Sequence, residues 1–105
     1  MPADAPFRLE FSKDDGYLAI YARFRRGKVS TTYEIRPGLA ADVDREGRVL
    51  AVEVIRTFST KARKGNLENV IDLDEIQRAV EKKFGVNLNP EFEQIREASR
   101  ACSFA

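Results

Sequence analysis

The spacing of apolar residues changes once along this chain, and that change constrains the fold more than any other feature. Up to Ile55 apolar and polar residues alternate, the signature of strands with one buried face. From Leu73 the apolar residues recur every three or four positions, as on a helix that packs along one stripe. Strands followed by helices, rather than alternating with them, predict an α+β domain.

Turn residues divide the first half into five strands: Phe7–Phe11, Tyr17–Phe24, Val29–Ile35, Leu39–Asp44 and Arg48–Ile55. Parity tests their pairing, because a one-residue slip sends every side chain to the wrong face. Pairing Phe11 with Leu18, Phe24 with Val29, and Ala41 with Val52 sets core residue against core residue each time. The Pro37-Gly38 corner fits the same scheme as a three-residue loop, Arg36-Pro37-Gly38, with Gly38 left-handed. The expected sheet is therefore a five-stranded antiparallel β-meander with one apolar face.

In the second half Asp72 caps a helix in capping-box style with Glu75, Leu73, Ile76, Val80 and Phe84 form its stripe, and Gly85 ends it. Asn89-Pro90 opens a second helix carrying Phe92, Ile95, Ser99 and Cys102. At least one helix should cover the apolar sheet face; the second could instead dock on another subunit. Residues 1–105 read as a single domain: the meander over 7–55, a basic linker over 56–66 and a helical tail over 67–105. Cys102 reads as a small buried hydrophobe, since no local cluster of cations lowers its pKa.

Composition limits the chemistry. None of the 105 residues is histidine and only one is cysteine, so no Ser–His or Cys–His nucleophile, thiolate metal site or internal disulfide can be assembled. A non-enzymatic protein without cofactor or metal is the expectation. The lone cysteine, and the absence of an apolar membrane-spanning run or a signal-peptide pattern, point to the cytoplasm and away from a membrane. A net charge of +1 gives no global field toward nucleic acid.

Asp42–Glu53, DVDREGRVLAVE, carries acids and a glycine at the spacing of a calcium loop. Such a loop is clamped between helices. Here Pro37-Gly38 precedes it and a β-rich run follows, so the stretch reads as two strands joined at Glu46-Gly47.

The polar sheet face supplies the candidate surface site: Tyr17, Tyr21, Arg23, Glu34, Asp42 and Glu53. The meander register sets Tyr21, Thr32, Asp42 and Ala51 in one cross-strand row and Ala19, Glu34, Ala40 and Glu53 in the next. Glu34 and Glu53 would suit acid/base work only if they met in a pocket. Tyr17, Tyr21 and the Arg23–Lys28 hairpin tip would suit a small nucleic-acid binder, but the acids on that face repel phosphate. Contact with a protein partner or a second copy is the favoured use.

YLAIYARF, RGKVSTTYEI, RPGLAADVDREGRVLAVEVI and the TFS that follows resemble, in order and spacing, the small bacterial YuzE-like family, a domain of unknown function, over about residues 9–59. Gly16-Tyr17 and the long helical tail depart from that pattern. The resemblance implies a β-meander with a helix and no established chemistry. Because such genes are frequently neighbours of small toxin-like proteins, it also implies an antitoxin-like, partner-binding role.

Overall fold

The computed structural model of this chain describes residues 7–14, 17–57, 65–66, 71–101 and 103–104. Five strands, β1 (Arg8–Asp14), β2 (Tyr17–Arg23), β3 (Thr31–Arg36), β4 (Leu39–Val43) and β5 (Val49–Thr57), form one antiparallel sheet. Helices α1 (Leu73–Phe84) and α2 (Asn89–Ala101) follow, and two short strands, β6 (Gly65–Asn66) and β7 (Ser103–Phe104), pair with each other. The α+β class and the five-stranded antiparallel sheet are as expected. No helix among the described residues is long and apolar enough to cross a membrane.

Strand order departs from the expected meander. The sheet runs β1-β2-β5-β4-β3, so β2 lies beside β5 and the Phe24–Val29 pairing does not form. Residues 24–30 instead cross the end of the sheet to reach β3, a Greek-key connection. The cause lies in β5, where Val49, Leu50, Ala51, Val52 and Val54 are all buried. A strand that apolar belongs in the middle, while the polar RLEFSKD and TTYEIR tolerate the edges.

Parity survives this change, because moving β2 across the sheet does not turn it over. β1 and β2 pair Phe11 with Ile20, two residues from the expected register but on the same faces. The β3–β4 corner closes on Pro37-Gly38 with Arg36 opposite Leu39, and a bulge at Ile35 restores Glu34 opposite Ala40. At Gly38, φ is 83°, and an added Cβ would lie 2.6 Å from the Ile55 carbonyl oxygen.

The β4–β5 turn holds one residue more than expected. Asp44 N–H donates to the Arg48 carbonyl at 3.0 Å, leaving Arg45-Glu46-Gly47 as the loop, with Gly47 left-handed at φ 84°. The extra residue is absorbed at Leu50, since Val43 faces Val49 and Asp42 faces Ala51. Beyond this bulge Ala41 meets Val52 as expected.

Leu18, Ile20, Ala22, Leu39, Ala41, Val43, Val52 and Val54 line the inner face, and Ile76, Val80, Phe92 and Ile95 cover it from both helices. Asp72 caps α1, accepting from the Glu75 N–H at 3.1 Å, and left-handed Gly85 ends it. For α2 the cap moves one residue earlier than expected, to Leu88, whose carbonyl accepts the Phe92 N–H at 2.9 Å. Asn89 is already helical, and the Asn87 side chain accepts its N–H at 2.8 Å. Phe24 packs 5.9 Å from Phe92, and Arg25 reaches Glu91 at 2.5 Å, tying the crossing segment to α2. Arg36 grips both Glu75 carboxylate oxygens at 2.5 and 2.6 Å, tying the end of β3 to α1.

The expected linker divides between elements: Arg56 and Thr57 belong to β5, Gly65-Asn66 to β6, and residues 58–64 lie outside the described residues. Cys102 lies outside them too.

Candidate functional site

The outer face carries the charged rows that the sequence placed there. One row runs Thr32, Asp42, Ala51, Arg23, Arg8; the next runs Glu34, Ala40, Glu53, Tyr21, Glu10. The order within β3, β4 and β5 is as expected. Tyr21 is not: it sits on the far side of β5, directly opposite Glu53, instead of beside Thr32.

Tyr21 nevertheless reaches Asp42. Its hydroxyl donates to Asp42 Oδ2 at 2.9 Å, crossing β5 diagonally where Ala51 presents only a methyl group. Ala51 is fully buried although it faces outward. Thr32 Oγ1 donates to the other Asp42 oxygen at 2.6 Å, so three strands are joined through one carboxylate. Burial, and then the bond to Asp42, raise the Tyr21 phenol above its ordinary pKa, with Arg23 opposing. The phenol is thereby held as a proton donor and is no proton exchanger near neutrality.

Glu34 and Glu53 reach the same rim without reaching each other. Both line an open depression of about 180 Å³ over Gly38, Leu39 and Ala40. Glu53 also borders a second depression of about 240 Å³ with Glu10, Ser12, Ala19 and Tyr21. In their row Ala40 separates the two acids, which puts their Cα atoms about 10 Å apart. Tyr17 lies in β2 opposite Asp14 and Thr57.

The cations of the expected hairpin tip are largely spent within the chain. Arg23 donates through Nε to the Arg25 carbonyl at 3.1 Å and through Nη2 to the Gly27 carbonyl. Arg25 is paired with Glu91. The segment is thus fastened as a connection and does not project as a hairpin tip.

The Asp42–Glu53 stretch is a strand, a turn and a strand. Asp44, at its corner, accepts from the backbone N–H groups of Glu46 at 3.0 Å and Arg48 at 2.9 Å, and from Arg48 Nε at 2.8 Å. Burial alone would raise its pKa, but the Arg48 and Glu46 donors outweigh it and hold the carboxyl below its ordinary value. Asp42 is meanwhile bound to Tyr21 and Thr32, so the two leading acids of the calcium-like pattern hold the protein itself. Among the described residues no group of three or more His, Cys, Asp or Glu side chains is arranged to hold a metal ion.

A second surface lies at the outer edge of β3, where no other strand pairs among the described residues. Thr31, Thr32, Tyr33 and Glu34 are all exposed, as are Lys28, Val29 and Ser30 just before them. Tyr33 packs edge-on against Phe84 at 5.9 Å, with Lys83 Nζ 6.0 Å from its ring, yet remains 44% exposed; Val29 is 37% exposed. Ser30, Thr31, Tyr33, Lys83 and Phe84 help line an adjoining depression of about 410 Å³. Neither Lys28 nor Glu34 has a hydrogen-bond or ion-pair partner among the described residues.

Parity from the expected Phe24–Val29 pairing puts Tyr33 on the apolar face, and the expected surface site includes neither Val29 nor Thr32. The missed signal is the polar run STTYE, which suits a strand at the margin of a sheet. Compared with protein-family models, curated proteins and solved structures, the chain matches none of them.

Proposed function

We propose that this chain is a cytoplasmic, non-enzymatic protein–protein interaction module that docks through the open edge of β3. The observation that carries this reading is an exposed edge strand beside a depression of about 410 Å³. An added strand satisfies the free backbone groups of the edge, and alternate side chains find the depression, which is how extended segments are recognised. The opposite edge, β1, carries Arg8, Glu10, Lys13 and Asp14, the kind of charge that discourages such pairing. β3 has no lysine or proline within it. An antitoxin-like role, implied by the YuzE-like resemblance, would be one form of such a module.

Selection from a displayed library of random peptides tests the reading. Thr31 and Tyr33 pair with Val43 and Ala41, the β4 residues whose backbone groups face β3, so strand alternation turns the Thr32 N–H outward, where proline is tolerated. Enrichment of extended, alternately apolar peptides whose capture is lost in Thr32→Pro is the expected result. No enrichment, or capture indifferent to Thr32→Pro, overturns it.

A further inference from the structure

We infer that the segment which docks on β3 comes from a partner protein and is two-faced in charge. Toward the helices it presents an apolar side chain with acidic ones two residues away; toward the outer face it presents basic ones. The inference rests on the reading of β3 as the docking edge and names what that edge selects.

Register decides which side chain meets which surface. Thr31 and Tyr33 pair with Val43 and Ala41, whose side chains lie in the core, so both sit on the helix side. Thr32 and Glu34 carry their side chains on the outer face, and their backbone groups turn toward the outer edge. A strand added there sends its residues opposite Thr31 and Tyr33 toward the helices. Those opposite Thr32 and Glu34 go to the outer face.

The helix side offers the depression of about 410 Å³, where Tyr33 and Phe84 supply an aromatic wall. A concavity of that size takes a bulky side chain with room beside it. Lys83 and Arg45 line the same depression; both are exposed, and neither forms an ion pair among the described residues. Asp44, the acid of the described lining, is already committed to Arg48 at 2.8 Å. Carboxylates on either side of an apolar group therefore complement this surface. On the outer face the charge is reversed. Glu34 has no partner among the described residues, and Glu53 stands further along its row.

Fluorescence anisotropy with two labelled peptides of one composition and one net charge tests the proposal. Between identical threonine flanks, one reads Glu-Lys-Phe-Lys-Glu and the other Lys-Glu-Phe-Glu-Lys. Alternation puts Glu beside Phe toward the helices in the first and Lys there in the second, whichever way the strand runs. The first should bind about tenfold more tightly, as the sum of several individually weak exposed pairs. Thr32→Pro should abolish its binding, and Arg45→Glu with Lys83→Glu should erase the preference while both peptides still bind. Equal affinities, both lost in Thr32→Pro, overturn the proposal and leave the docking reading standing. A preference that persists in the double reversal overturns it too, by placing the selection elsewhere. If neither peptide binds although library peptides do, the charge rule alone falls; if library selection also fails, both readings fall. A dimer of this chain that Thr32→Pro dissolves makes a second copy the occupant and likewise overturns it.

Discussion

Tyr21 and Asp42 are joined across an intervening strand: the hydroxyl on β2 meets the carboxylate on β4 at 2.9 Å, passing over β5 at Ala51. The bond staples the two halves of the sheet, β1-β2 and β3-β4-β5, which pair with each other through the β2–β5 ladder.

Tyr21→Phe should therefore cost about 1 kcal/mol, the net worth of one partly buried hydrogen bond, and should leave Thr32 still bound to Asp42. The phenol also carries a pH signature. Its folded pKa lies above the ordinary 10.0, so its stabilising contribution is complete below the unfolded pKa and is lost as pH rises through the folded one. In a spectroscopic titration of tyrosinate, Tyr21 should ionise later than a free phenol. Tyr21→Phe should remove that late component.

Asp44 has the opposite sign. Its folded carboxyl pKa is depressed, so its contribution is complete above the unfolded pKa and disappears as pH falls through the folded one. Asp44→Asn should lower the melting temperature at neutral pH, and the gap to wild type should close as acid protonates Asp44. Thermal melts at a series of pH values read this directly. A gap that persists unchanged in acid would show that the carboxylate charge is not what organises the turn.

Gly38 and Gly47 share nearly the same φ and should differ sharply on substitution. Gly47→Ala meets nothing within 4 Å and should cost only the left-handed penalty, about 1 kcal/mol. Gly38→Ala adds a Cβ 2.6 Å from backbone that cannot swing aside, so a loss of at least about 3 kcal/mol is expected. Denaturant unfolding of the pair isolates the clash from the conformational term.

Which face each residue occupies was legible in the sequence; which strand neighbours which was not. Parity is blind to strand order, because Tyr21 faces outward whether β2 sits beside β3 or beside β5. Two residue patterns do carry the order. Val49–Ile55 is too continuously apolar for an edge, and Arg25–Lys28 lacks the Asn-Gly or Asp-Gly of a tight hairpin. In the candidate site, the Thr32–Asp42–Ala51 and Glu34–Ala40–Glu53 rows followed from register alone. The diagonal reach of Tyr21 did not, since it depends on the small size of Ala51 and on a ladder that local pairing does not suggest. Val29 and Tyr33 were hidden for a related reason. Alternation assigns them to the inner face, but Val29 precedes β3, and β3 lies at the edge of the sheet, where Tyr33 stays 44% exposed.

The place of β5 between β2 and β4 also has a temporal meaning. As the chain leaves the ribosome, β1 and β2 are complete while residues 24–48 have still to be made, and the only strand that pairs with β2 on its inner side comes after them. Leu18, Ile20 and Ala22 must therefore wait uncovered, and both the sheet and its helical layer close only once β5 emerges. Long-range closure of this kind slows folding and leaves an early hairpin open to wrong partners.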